Sequence, residues 1–165
     1  ELSKKEHKKL VKELKKEQKA EEAARKTEIV RIMVEHGRFV LEANQLRGAR
    51  GTTINVSSPI NFIACDSIRG VIQIGSEGYV GMNGVGGITI EGPISNYKVT
   101  QSQKSGSHLI SYNVRSSSGT YDVRMNVYAD GKADAVISSN WPGRLNYVGY
   151  LIPPSLSKVY KGTSF

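Results

Sequence analysis

The stretch YDVRMNVYADGKADAVI, residues 121–137, decides the fold. Tyr121, Val123, Met125 and Val127 alternate with Asp122, Arg124 and Asn126. After Asp130-Gly131 the alternation resumes, with Ala133, Ala135 and Ile137 set against Asp134 and Val136. A period of two places one set of side chains on each face of a strand, and Asp-Gly between two such runs marks a hairpin. The same pattern continues outward on both sides. Ile110, Tyr112 and Val114 alternate before it, and Leu145, Tyr147 and Gly149 after it, with turn-like joints at residues 116–119 and 140–143. Joints this short force antiparallel neighbours, because a parallel crossover needs about a dozen residues or more.

Upstream the signal is weaker but of the same kind. Phe39, Leu41 and Ala43 alternate before a turn at residues 47–51, and strand-like runs follow at 52–57, 61–65, 70–75, 88–92 and 94–100. Pro93 lacks the N–H a ladder needs, so a break or bulge is expected between the last two. A meander of about eight to ten strands curls into a barrel or a sandwich to protect its edges. Phe39, Ile110, Tyr112, Val123, Met125, Val127, Ile137 and Leu145 are expected inside.

Residues 3–36 read as one helix. Ser3 and Glu6 have capping-box spacing, Lys, Glu, Ala and Leu dominate, and Gly37 supplies a stop after His36. Ala23, Thr27, Val30 and Val34, flanked by Ile29 and Met33, form an apolar stripe at helical spacing. The first half holds only Leu10, Val11 and Leu14, and a heptad through them runs into Glu17 and Glu21, so no coiled coil is expected. The second half should therefore pack on the body and the first half project. The chain divides into a charged helix, 1–37, and an antiparallel β domain, 38–165. The class is α+β, predominantly β: a long N-terminal helix followed by a curled, mostly antiparallel sheet, barrel-like or sandwiched.

With 165 residues there is room for one domain with a real core. The single cysteine, Cys65, excludes an internal disulfide and a multi-cysteine metal site. The formal net charge of +8 is concentrated at the start, where residues 1–26 carry ten Lys/Arg against six Glu. No run is apolar over the roughly 20 residues a membrane helix needs. The chain begins at Glu1 without Met, consistent with a mature or trimmed segment.

Several segments look familiar together: GVGGITIEG at 84–92 with ISNYKV at 94–99, RFVLEA at 38–43, NFIA at 61–64, GRLNY at 143–147 and VYKG at 159–162. In this order, over about residues 28–165, they resemble DUF family 4251, a domain of unknown function found mostly in Bacteroidetes. Members of that family usually begin with an export signal. The resemblance implies a periplasmic, envelope-associated or secreted protein, and it implies no activity. Contact with a membrane is expected only through an N-terminal signal or anchor that this chain does not contain.

Residues 75–92 hold seven of the seventeen glycines, which marks a segment shaped by backbone constraints. The glycine-rich loop 75–87 reads either as a long hairpin loop or as a flap over a pocket, with Tyr79 and Met82 as its large contacts. Its glycines do not form a nucleotide fingerprint, since Thr89 stands where a third glycine is needed and a strand follows. His7, His36 and His108 do not pair into a metal set. Cys65 has no neighbouring cation to make it a nucleophile. No cofactor, metal or catalytic set is expected. Tyr97, Tyr112, Tyr121 and Tyr147 point inward by alternation, while Tyr128 and Tyr150 point outward. Inward tyrosines either fill the core or line a cavity.

The ligand-binding candidates are therefore Tyr79, Met82, Tyr97, Tyr112 and Tyr147. The expected function is non-enzymatic: an exported envelope or secreted module that binds an apolar or peptide-like ligand or a partner protein. A hydrolase or isomerase using scattered carboxylates is one alternative, and anionic-surface binding through the lysine-rich helix is another. Nucleic acid is disfavoured as a partner, because glutamates interrupt the lysine run and no aromatic is interleaved.

Overall fold

The computed structural model describes residues 3–48, 50–78, 81–140 and 143–164. Helix α1, Lys4–His36, starts on a full capping box: Ser3 Oγ accepts from the Glu6 amide and the Glu6 carboxylate accepts from the Ser3 amide. It stops at Gly37, which takes the left-handed conformation (φ 60°) and donates its N–H to the last-turn carbonyls of Met33 and Val34. Arg31 bridges Glu28 and Glu35 on the exposed face.

Among the described residues nine strands follow: β1 (Arg38–Arg47), β2 (Thr53–Asn55), β3 (Phe62–Asp66), β4 (Arg69–Ile74), β5 (Ile88–Gln101), β6 (His108–Ser116), β7 (Gly119–Val127), β8 (Lys132–Ser139) and β9 (Arg144–Ile152). Every pairing between them is antiparallel. The order is β1-β3-β4-β5-β6-β7-β8-β9, and β9 returns to pair with β1. That last pairing makes an eight-stranded closed barrel and settles the choice against a sandwich. The short β2 continues the β3 edge of β1, pairing residues 53–55 with 45–47. A bulge between Ala43 and Gln45 lets β1 follow the curvature at the seam with β9.

The interior is the expected set. Phe39, Ile110, Tyr112, Val123, Met125, Val127 and Ile137 are buried, together with Leu41, Ile63, Val114, Ala135 and Tyr147. Tyr128 and Tyr150 are exposed, as alternation requires. Leu145 is an exception. It is only half-buried and packs against the core from one side, because it sits at the first turn of β9 where the barrel opens. Pro93 also departs from expectation, since β5 runs unbroken through it. Residues 88–93 pair with β4 and residues 94–101 with β6, so Pro93 stands where the strand changes partner and its missing N–H costs little. The irregularity falls three residues later, at Asn96 (φ 55°), where the ladder with β6 shifts register.

The helix closes one end of the barrel. Only Val30, Met33 and Val34 are buried, and Thr27 Oγ1 donates to the Ala129 carbonyl at the β7–β8 turn. Contact with the barrel therefore begins at Thr27 rather than Ala23, and Ile29 faces solvent, because only the last turns of α1 meet the barrel. Tyr97 reaches up from β5 and donates its hydroxyl to the Val34 carbonyl (2.5 Å), while Ser67 Oγ donates to the His36 carbonyl (2.6 Å). His108, at the start of β6, is buried at this end with Nδ1 unpaired, and burial holds its pKa below the ordinary histidine value. Among the described residues no helix is long and apolar enough to cross a membrane.

Candidate functional site

The end opposite the helix is open. Strands β4, β5, β7 and β8 reach it with Ile72, Ile74, Ile88, Ile90, Tyr121 and Ser139, and the glycine-rich loop adds Met82. Together they line a cleft of about 430 Å3. Among the described residues no charged side chain lines it. Met82 is 70% exposed and Ile88 50%, so two large apolar groups stand in water at its edge. The polar groups present are already engaged: the Tyr121 hydroxyl lies 3.1 Å from Ser118 Oγ, and Thr89 Oγ1 donates to Gln73 Oε1 (2.8 Å). A second recess, of about 660 Å3, opens on the β1–β2 side between Leu46, Ile54, Val56 and Ile74. Ile74 thus lines both recesses, and the second also takes the polar side chains of Asn55, Ser57, Ser76 and Glu77.

The loop is not free to swing at its middle. Asn83 is fully buried, and its Nδ2 donates to the Ile74 carbonyl and to Thr89 Oγ1, both at 3.1 Å. Its Oδ1 accepts from the Val85 and Gly87 amides (3.1 and 2.9 Å). Asn83-Gly84 therefore forms an anchored turn instead of a mobile tip. Met82 projects into the cleft from the residue just before this anchor, so its position is set by the backbone.

The sequence-based candidates separate into two groups. Met82 lines the cleft. Tyr79 lies outside the described residues. Tyr147 is fully buried and donates its hydroxyl to the Gln73 carbonyl (2.9 Å), and Tyr112 is 2% exposed with its hydroxyl unpaired. Tyr97 packs on Tyr112, ring centroids 5.8 Å apart, with its hydroxyl committed to the helix. Burial raises the phenol pKa of all three. Tyr97, Tyr112 and Tyr147 are thus core residues, and they do not line the open cleft. The isoleucines that do line it passed as ordinary strand residues, since alternation assigns a face but not which end of a barrel stays open.

The carboxylates do not converge. Asp66 accepts from the Ile68 and Arg69 amides, Asp130 from the Lys132 amide, and Asp122 pairs with Asn113. Glu42 and Glu91 hold the C-terminal segment on the outside of the barrel. Among the described residues no three His, Cys, Asp or Glu side chains are placed to hold a metal ion. Burial pushes the Cys65 thiol up to about 11, which keeps it protonated and inert at neutral pH.

A family model described as a domain of unknown function (DUF4251) matches residues 21–151. The chain belongs to the DUF4251 family. A crystal structure of a DUF4251 family protein from Bacteroides eggerthii is 27% identical to it, with a TM-score of 0.69, over 85% of this chain and 95% of that one. No curated protein matches. The DUF4251 match begins at residue 21 within α1, a few residues before the resemblance by segments, and it ends within β9. The C-terminal segment after Leu151 lies beyond it.

Proposed function

We propose that this DUF4251 protein is a non-enzymatic, exported envelope or secreted module that takes an apolar ligand, or an apolar segment of a peptide or partner, at the open mouth of its barrel. The carrying observation is the cleft between Ile72, Ile74, Met82, Ile88, Ile90 and Tyr121, apolar, uncharged and edged by exposed side chains. Filling such a cleft removes that surface from water at about 25 cal/mol per Å2. The helix supports the reading by packing Val30, Met33 and Val34 across the other end. Export is inferred from the family resemblance. Asp66, Asp122, Asp130, Glu42 and Glu91, dispersed over the barrel and each held by a structural partner, weigh against acid–base chemistry as the alternative.

Titration with Nile red, a neutral apolar dye, tests the site without involving the basic helix. Met82→Asp and Ile88→Asp should each weaken binding about tenfold or more, since a carboxylate must then be desolvated beside the dye. Both side chains are exposed, so the fold should survive. Leu10→Asp, on the projecting part of α1, should leave the affinity unchanged. Equal affinity for all three variants would place the dye elsewhere and defeat the proposal.

A further inference from the structure

We infer that the outer wall of the barrel carries a second site, a groove for an extended peptide that reads a Lys-Gly pair, and that residues 157–164 of this chain are its resident occupant. This goes beyond the cleft at the mouth. The segment has no regular secondary structure after Leu156 and is held by main-chain bonds together with the side chains of Ser157 and Lys161. Glu42 Oε1 accepts from Ser157 Oγ and the Lys158 amide (2.7 and 3.1 Å), and the Pro59 carbonyl accepts from the Tyr160 amide (2.7 Å). Gln73 then does what a neighbouring strand would do. Its Nε2 donates to the Tyr160 carbonyl and its Oε1 accepts from the Gly162 amide, both at 2.8 Å. The Asn83 carbonyl accepts from the Thr163 amide (2.9 Å). Main-chain bonds of this kind give affinity to an extended peptide of any sequence.

Selectivity comes from two adjacent positions. Lys161 Nζ donates to Glu91 Oε2 at 2.5 Å, and Glu91 is turned largely away from water, so a cation is favoured there. A Cβ on Gly162 would fall on the Asn83 carbonyl oxygen and 3.1 Å from Val85 Cγ2, so only glycine fits at the next position. Asn83 cannot give way easily, because its side chain is tied on four sides. The reading parts belong to the barrel: Gln73 is fully buried on β4 and Glu91 sits on β5. The occupant's Tyr160 is 65% exposed and its Val159 half-buried, and the segment lies beyond the residues the family model matches, although its VYKG run carries part of the resemblance. A groove built from the barrel wall and an irregular terminal segment held in it by hydrogen bonds and one ion pair describe an exchangeable ligand. The partner class is an extended segment carrying a basic residue followed by glycine.

The test uses the full-length chain and a fluorescein-labelled peptide of sequence SKVYKGTS. Lys161→Glu sets a like charge against Glu91, and Gly162→Ala forces the clash with Asn83; either should release the segment, seen as fast amide exchange over residues 157–164. Both variants should then bind the peptide about tenfold more tightly than the wild type, whose groove is filled. A peptide with Ala in place of Gly should bind about tenfold more weakly. Lys161 is an exposed side chain, so Lys161→Glu carries the test if Gly162→Ala fails to fold. Released segments with no peptide binding, segments that stay bound in both variants, or equal binding of the Ala peptide would each overturn the inference.

Discussion

Gly149→Ala is expected to destabilise the protein by about 3 kcal/mol or more, at or beyond the usual cost of overpacking. Gly149 pairs with Ala43 across the seam where β9 meets β1, and with Ala133 on its other side. A methyl group there would fall on the Glu42 carbonyl oxygen and 2.8 Å from Ala43 Cα. Both obstacles are backbone, held by the ladder that closes the barrel, so neither can rotate aside. The loss is large against a typical total stability of about 5–15 kcal/mol. Thermal and denaturant melts measure it. Gly48→Ala, at a position with no atom within 4 Å of the new methyl group, should melt with the wild type. If Gly149→Ala also did so, β1 and β9 would not meet as described and the barrel would be open.

Gln73→Leu should cost about 3 kcal/mol, because each orphaned buried partner carries a penalty of about 1–3 kcal/mol. The buried amide makes four bonds: to the carbonyls of Ile60 (3.1 Å) and Tyr160, from Thr89 Oγ1, and from the Gly162 amide. Leucine matches the volume but satisfies none of them. The Ile60 carbonyl and the Thr89 hydroxyl remain inside, while Tyr160 and Gly162 can regain water if the segment lifts away. Amide exchange should therefore accelerate at Gly162 and Thr163 while the β6–β7–β8 meander stays protected. A variant as stable as the wild type, with slow exchange at Gly162, would show that Gln73 is not the clamp.

The meander was legible because each of its strands carries its own evidence. Tyr121 to Val127 and Ala133 to Ile137 alternate, and Asp130-Gly131 permits only a tight turn between them. The helix was legible down to its caps, since Ser3, Glu6 and Gly37 act on their immediate neighbours. Closure of the barrel was not, because the β1–β9 contact depends on accumulated twist and shear over eight strands, which no single residue encodes. The tyrosines show the same limit. Alternation sent Tyr97, Tyr112 and Tyr147 inward correctly, but whether an inward residue fills a core or lines a recess depends on which end of the barrel is plugged. That is decided by Val30, Met33 and Val34, which lie 63 to 117 residues away in sequence. Gln73, Thr89 and Asn83 escaped notice for a related reason. Gln73 and Thr89 face outward in the strand pattern, where residues 157–164, which have no periodicity, lie across Gln73, while Asn83 is enclosed by its own loop and the ends of β4 and β5.

The most direct measurement is a methyl-labelled nuclear magnetic resonance titration with decane-saturated buffer. The account predicts that the methyls of Ile74, Ile88, Ile90 and Met82 shift together and saturate, with Ile72 following, while Ile63 and Ile110 in the core and Leu10 and Leu14 on the projecting helix hold still. Shifts confined to the helix methyls, or no saturable shift at Ile74, Ile88, Ile90 and Met82, would contradict the claim that the open mouth of the barrel is the binding site.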